Sequence, residues 1–323
     1  MIKRNVYKVN SLEKLVQVIK SIDNVYILTH MYPDGDALGS SFVLCRVLQK
    51  LGKKATVKIA DGIPEKFVFM KKYITDQDFK PMYIVAVDLA SSSLIHPSLS
   101  EYSESIDLCI DHHMSNRGFA PINYVDSSAA ATTEIIYEII KKLGIDIDTQ
   151  MAEGIYVGIS SDTGCFKYSN TTYKSHQITA DIMKLGLTVS NLNEKLFTVK
   201  SKKQLLLERI LYRNIEYAFD GKVALTYIKL KELKENNIKD EECDGVASLP
   251  IKIEGVCIGI TVREKPDGNY KISVRTIGNY NGAKFASLFG GGGHFKAAGF
   301  NLSGPLEEVR SRIVEALKTE FDF

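Results

Sequence analysis

The segment Leu28-Thr29-His30-Met31-Tyr32-Pro33-Asp34-Gly35-Asp36 carries one imidazole and two carboxylates on a turn that Pro33 and Gly35 enforce. Such groups bind divalent cations and exchange protons near neutral pH. Asp36 also has a plainer role open to it, as cap of the helix that follows. Three further stretches carry the same chemistry. Asp88 closes the apolar run 83–87, Asp111-His112-His113 closes the run 106–110, and Asp162 lies in Ser160-Ser161-Asp162-Thr163-Gly164. Of the six histidines, His30, His112, His113 and His294 sit in polar clusters, whereas His96 and His176 lack such partners.

An oxygen-rich donor set with one or two imidazoles suits Mn²⁺ or Mg²⁺ better than structural zinc, which prefers sulfur and nitrogen. Asp34, Asp36, Asp88, Asp111 and Asp162 are too many carboxylates for one ion and would repel one another without about two divalent cations. Two ions about 3.5–4 Å apart, bridged by a carboxylate, are a common device for phosphoester hydrolysis. A second chemistry stands near the end of the chain. The run Gly290-Gly291-Gly292-Gly293 before His294 permits positive φ and close backbone approach, so its N–H groups could form a nest for an anion. Arg275, at the end of a predicted strand, could hold a phosphate bidentately.

These groups can meet only if the elements beneath them share an edge. Helical spacing over 11–22 is followed by a strand at 25–28, a helix from about Ala37 to Leu51, a strand at 55–60 and a short helix at 65–72. Strands at 83–87 and 106–110, then helices at 132–143, 149–159 and 172–185, complete a first region. Strands alternating with helices predict a mostly parallel, doubly wound α/β sheet with helices on both faces, whose ligands bind beyond the carboxyl ends of the strands. Residues 189–217 are nearly continuous helix-forming sequence and read as a connector. The pattern then changes to strands at 223–228, 257–263 and 270–276, with Pro266-Asp267-Gly268 as a hairpin turn. A short helix at 281–289, the glycine run, a strand at 297–302 and a closing helix from about Pro305 make a smaller α+β domain.

Bulk properties narrow the function classes. A chain of 323 residues with 45% hydrophobic and 25% charged residues is an ordinary globular protein of two domains. The net charge of +2 provides no strong field for long nucleic acid or a membrane surface. The five cysteines are scattered without a CxxC pair, which predicts reduced thiols and a cytoplasmic protein. No run approaches the ~18 apolar residues of a membrane span, and residues 1–10 lack the apolar centre of a signal peptide.

Taken together, His30-x-x-x-Asp34-x-Asp36, Asp88, Asp111-His112-His113 and Asp162 resemble the four motifs of the DHH phosphoesterase superfamily. The tail Gly290-Gly291-Gly292-Gly293-His294-x-x-Ala297-Ala298-Gly299 is similar to the signature of the DHHA1 domain. At this length the chain most resembles the nanoRNase/pAp-phosphatase group. The resemblance implies a DHH domain at 1–188, a helical connector at 189–217 and a DHHA1 domain at 218–323, with the active site in the cleft between the domains. It implies two Mn²⁺ ions, with Mg²⁺ or Co²⁺ as substitutes, held by His30, Asp34, Asp36, Asp88, His112 and Asp162, with Asp88 bridging. It implies that His113 approaches the scissile phosphate, that Asp111 orients an imidazole, and that Arg275, Gly292, Gly293 and His294 bind substrate. The substrates implied are short RNA oligonucleotides, linear dinucleotides such as pApA and pGpG, and 3′-phosphoadenosine 5′-phosphate (pAp), cleaved to nucleoside 5′-monophosphates. Long duplex nucleic acid is not among them, and a homodimer is compatible with the sequence. Alternative readings are a cyclic-dinucleotide phosphodiesterase acting on c-di-AMP, a family II inorganic pyrophosphatase, and an inactive nucleotide-binding regulator. After Asp88 the chain reads Leu89-Ala90-Ser91, where many relatives carry Thr or Cys next and Arg further on, a departure that bears on substrate preference.

Overall fold

The computed structural model describes residues 7–9, 11–60, 62–75 and 77–321. Contacts divide the chain into two units, Met1–Val199 and Lys200–Phe323.

The first unit begins with β1 (Tyr7–Lys8), α1 (Leu12–Ser21), β2 (Val25–Leu28), α2 (Gly35–Lys50) and β3 (Ala55–Lys58). A 3₁₀ helix at Glu65–Tyr73 leads to β4 (Tyr83–Val87), α3 (Ser100–Ser103), β5 (Leu108–Asp111) and β6 (Ile122–Val125). Then come α4 (Thr132–Leu143), α5 (Thr149–Asp162), α6 (Tyr173–Met183) and α7 (Val189–Asn193). The sheet runs β1-β6-β5-β4-β2-β3, and every pairing in it is parallel. Winding reverses between β2 and β4, because β3 lies on one side of β2 and the later strands on the other. That reversal opens a crevice beyond the carboxyl ends of β2 and β4. β1 and β6 were not anticipated from sequence; both are short and lack a long apolar run.

Strand residues alternate between two cores. Val25, Ile27, Val85, Val87, Leu108 and Ile110 join one cluster with Leu15 of α1, Leu38 and Phe42 of α2, Ile136 of α4 and Ile155 of α5. Tyr26, Leu28, Ile84, Ala86 and Cys109 join the other, with Leu89, Ile95, Ile106 and Ala120. The faces are therefore covered unequally. Long helices gather on one, while α3 and two 3₁₀ turns, Ser92–Leu94 and Pro97–Leu99, close the other. The Ser- and Pro-containing stretch between β4 and β5 is too interrupted for a long helix.

The second unit contains α8 (Lys202–Arg213), β7 (Glu216–Ala218), β8 (Val223–Ile228), α9 (Leu230–Glu235), β9 (Ile258–Glu264), β10 (Asn269–Thr276), α10 (Gly282–Ser287), β11 (Gly292–His294), β12 (Ala297–Ser303) and α11 (Leu306–Phe321). Its sheet runs β11-β12-β10-β9-β8-β7, antiparallel except for the β8–β9 pair. Val274, Phe285, Phe300, Val309 and Ile313 lie in its core. Residues 189–217 are not one helix. A π-turn at Glu194–Thr198 follows α7, Ser201 then caps α8 with Gln204 in a capping box, and the stretch ends in β7. Among the described residues no helix is long and apolar enough to cross a membrane.

Candidate metal and phosphoester site

Helix capping sets the first group. Asp34, not Asp36, caps α2, its Oδ1 accepting from the N–H groups of Asp36 at 3.0 Å and Ala37 at 3.1 Å. Asp36 is buried in the first turn of α2 and serves a different helix. Its Oδ2 accepts from Thr132 N–H at 2.6 Å, and its Oδ1 accepts from Thr133 N–H at 3.0 Å and from the Thr133 hydroxyl. Those are the first N–H groups of α4, whose own cap position is Ala131, a residue without a capping side chain. A carboxylate offers about four lone-pair positions, so Asp36 keeps acceptor capacity for a cation.

Close helix packing brings the last carboxylate in. α2 crosses α5 at Gly39, Gly154 and Gly158, where a Cβ on Gly39 would lie 2.6 Å from the Gly154 carbonyl and a Cβ on Gly158 would lie 2.8 Å from Asp36 Oδ1. Asp162 is the final residue of α5, three residues past the expected helix end. Asp88 follows β4 with φ of 54°, a left-handed conformation that Asp tolerates better than most residues. It is buried, and its Oδ1 accepts the Thr132 hydroxyl at 2.9 Å.

His30 and His112 are oriented alike. Each gives its Nδ1–H to a backbone carbonyl, Met31 at 2.9 Å and Ala129 at 3.2 Å, since a carbonyl can only accept. Each therefore turns Nε2 inward. His30 Nε2 lies 4.0 Å from Asp34 Oδ1 and 3.9 Å from Asp88 Oδ2. His112 Nε2 lies 3.1 Å from Asp162 Oδ2 and 3.7 Å from Asp88 Oδ1, yet is buried without a properly directed hydrogen bond. His113 differs: its Nδ1 is bonded to Asp111 Oδ1 at 2.7 Å. Asp111 also accepts from Asn116 Nδ2 at 2.7 Å.

Electrostatics separates the two sets of carboxyls. Burial, then the neighbouring Asp36, Asp34 and Asp162 carboxylates, push Asp88 well above the ordinary range. Burial and Asp36 raise Asp162 to about 7, and burial likewise raises Asp36. Burial alone would lower His112, but Asp162 and Asp36 outweigh it and lift it to about 9. Burial also opposes ionisation of Asp111, but hydrogen bonds from His113 and Asn116 prevail and hold its carboxyl below the usual range. Crowded carboxylates that resist ionisation, beside imidazoles turned with Nε2 inward, are the environment a divalent cation satisfies. The donor atoms form overlapping groups, each within 4.8 Å: His30, Asp34 and Asp88; Asp36, His112 and Asp162; and Asp88, His112 and His113. In the third group His113 contributes least, because the nitrogen nearest Asp88 is committed to Asp111.

All seven residues of the first unit singled out from sequence as ligands or as the approaching imidazole thus meet at the β2–β4 crevice, with Asp111 behind them. His96 instead accepts from Ser98 N–H, and His176 stacks on Phe166. Thr132, Thr133 and Asn116 were missed, although a Thr-Thr pair opening a helix is a visible polar signal. The second unit holds the remaining candidates. Arg275 on β10 pairs with Ala297 on β12, which pairs with His294 on β11, so the three share a row. The Arg275 Nη1 donates to the Val274 carbonyl at 3.0 Å. The His294 side chain lies outside the described residues. The glycine run is no simple nest: Gly290 and Gly291 donate to the carbonyls of Ser287 and Ala286, closing α10. Gly292 and Gly293 enter β11, where a Cβ on Gly293 would lie 2.5 Å from the Ala297 carbonyl. An open cavity of about 370 Å³ lies beside Gly290, Gly291 and Gly292, lined also by Lys271, Gly299 and Asn301.

Known proteins share this plan. Residues 24–159 match the DHH family, N-terminal domain, and residues 220–322 match the DHHA1 domain. A protein named bifunctional oligoribonuclease and PAP phosphatase NrnA from Thermus thermophilus is 31% identical over 314 residues, spanning 95% of this chain and 93% of that one. The protein of the same name from Bacillus subtilis is 26% identical over 297 residues, spanning 90% and 92%. The crystal structure of an exopolyphosphatase-related protein from Bacteroides fragilis is similar with a TM-score of 0.86 at 25% identity, covering 97% of each chain.

Proposed function

Because the chain belongs to the DHH family and carries a DHHA1 domain, we propose that it is a Mn²⁺-dependent phosphoesterase that hydrolyses short oligonucleotides, linear dinucleotides and pAp to nucleoside 5′-monophosphates. The observation that carries this reading is the pair of donor groups meeting at the β2–β4 crevice, one with Asp88 and one facing it through His112. His30, Asp34 and Asp88 would hold one ion, and Asp36, His112 and Asp162 a second, with Asp88 reaching both. Mn²⁺ suits this mixed oxygen and imidazole set. Ions held there would neutralise the phosphate oxygens and make water acidic enough to react near neutral pH.

The remaining work falls to side chains. Asp111, kept ionised, fixes His113 through Nδ1 and leaves Nε2 as the nitrogen that can carry a proton to or from the phosphoester. A proton carried on that nitrogen can also stabilise negative charge developing on the phosphate. The hydroxyl of Thr132 and the N–H groups of Thr132 and Thr133 hold the Asp88 and Asp36 carboxylates in place before substrate arrives. In the second unit, Arg275 and the hairpin of Gly292, Gly293 and His294 would grip a further phosphate of the substrate. Names borne by the relatives at 31% and 26% identity support the substrate class.

The test is a substrate panel with Mn²⁺: pApA, pGpG, RNA of two to five nucleotides, pAp and cyclic dinucleotides. Turnover of the short linear species and pAp to 5′-monophosphates, with long RNA spared, is the expected result. Inertness toward every linear species would overturn the proposal.

A further inference from the structure

The backbone after Asp162 turns left-handed for three residues, Gly164, Cys165 and Phe166, with φ of 56°, 58° and 62°. A side chain disfavours that region, so other bonds must hold the loop there. Thr163, fully buried, does so: its hydroxyl accepts from Phe166 N–H at 3.1 Å, and its carbonyl accepts from Lys167 N–H at 2.9 Å and Tyr168 N–H at 3.0 Å. Asn170 closes the loop, giving Nδ2 to the Asp162 and Ala130 carbonyls at 3.1 Å each. The loop therefore leaves Asp162 and returns to it.

Tyr168 sits in the middle of this loop. A Cβ on Gly164 would lie 2.3 Å from its Cζ and 2.5 and 2.6 Å from the two Cε atoms. Near-equal distances to three ring atoms put Gly164 over the ring face, not its edge. The aromatic ring is thus pinned against bare backbone, yet the residue is 61% exposed. A large exposed ring, held by a disfavoured backbone a few residues from Asp162, contributes little to the core.

We propose that Tyr168 is a specificity-determining residue, a platform on which one nucleobase of the substrate stacks beside the phosphate held at the metal cluster. The inference rests on the nucleotide-phosphoesterase reading above. Its free ring face accepts any base, because every base has a π face, and adds affinity without reading sequence. A ligand with phosphate and ribose but no base gains nothing from it.

The chain contains no Trp, so Tyr168→Trp introduces a lone indole at this position, whose emission can be excited apart from that of the tyrosines. Titration with a dinucleotide whose bridging phosphate is non-hydrolysable should quench its emission, whereas the abasic analogue should not. In wild-type background, Tyr168→Ala should weaken dinucleotide binding roughly 10-fold, Tyr168→Phe should bind normally, and abasic ligand should bind all three alike. Should Tyr168→Ala loosen the loop, Tyr168→Leu keeps the bulk without the π face and gives the same decision. Equal dinucleotide affinity of wild type, Ala and Leu variants, or unquenched emission from bound Trp variant, would overturn stacking alone. Wild-type protein that neither binds nor cleaves any nucleotide would overturn the functional reading as well.

Discussion

His30 and His112 show how little a residue's identity decides until its hydrogen bonds are known. Both commit Nδ1 to a backbone carbonyl and so turn Nε2 inward, while adjacent His113 commits Nδ1 to a carboxylate. The first arrangement suits a ligand, the second a proton carrier. Asp88 is the pivot, within 4 Å of both inward nitrogens. Asp88→Ala should therefore remove the proposed shared ligand and cost more than the roughly 10–100-fold that loss of an outer partner brings. Calorimetric Mn²⁺ titration should then give fewer than two ions per chain, and near-normal turnover at saturating Mn²⁺ would contradict the bridging role.

Elements hold these residues through contacts that tolerate no added atoms. The α2–α5 crossing is the clearest case, since Asp36 reaches Thr133 only because Gly158 has no side chain. A Cβ there would lie 1.8 Å from Thr133 Oγ1. Gly158→Ala should cost about 1–3 kcal/mol of stability as overpacking, and should also depress activity by displacing Asp36 and the start of α4. Gly144→Ala is the matched control. Gly144 ends α4 with φ of 68° and open space around it, so that variant should lose about 1–2 kcal/mol through backbone strain while keeping its activity. Thermal melts and Mn²⁺-dependent assays of both separate the effects.

Across the whole molecule the two units divide the proposed work, with metal chemistry assigned to Met1–Val199 and a phosphate grip to Lys200–Phe323. That division predicts different losses for different substrates. His294→Ala should reduce kcat/KM for dinucleotides by about 10-fold or more, the worth of one lost charge-assisted hydrogen bond. Bis-p-nitrophenyl phosphate, which has no second phosphate to grip, should lose little. Equal losses on both substrates would contradict a gripping role.

Local chemistry determined much of this protein from its sequence. Apolar runs ending in Asp or His, a short hairpin turn at Pro266-Asp267-Gly268 and positive-φ glycines after helices all act over a few residues, so the longer strands, the turns and the donors named for the crevice were legible, while the short β1, β6 and β7 were not. The parallel sheet followed from alternation of strands and helices. What the sequence left open depends on groups far apart in the chain. Asp36 caps α4 nearly a hundred residues away, Thr132 bonds Asp88, and two of the four glycines spend their N–H groups on α10 instead of an anion. Each carboxylate and N–H had a local partner available, and only packing decided which distant partner it took. Tyr168, six residues after Asp162, was one tyrosine among 16 until the left-handed turn laid its ring on Gly164.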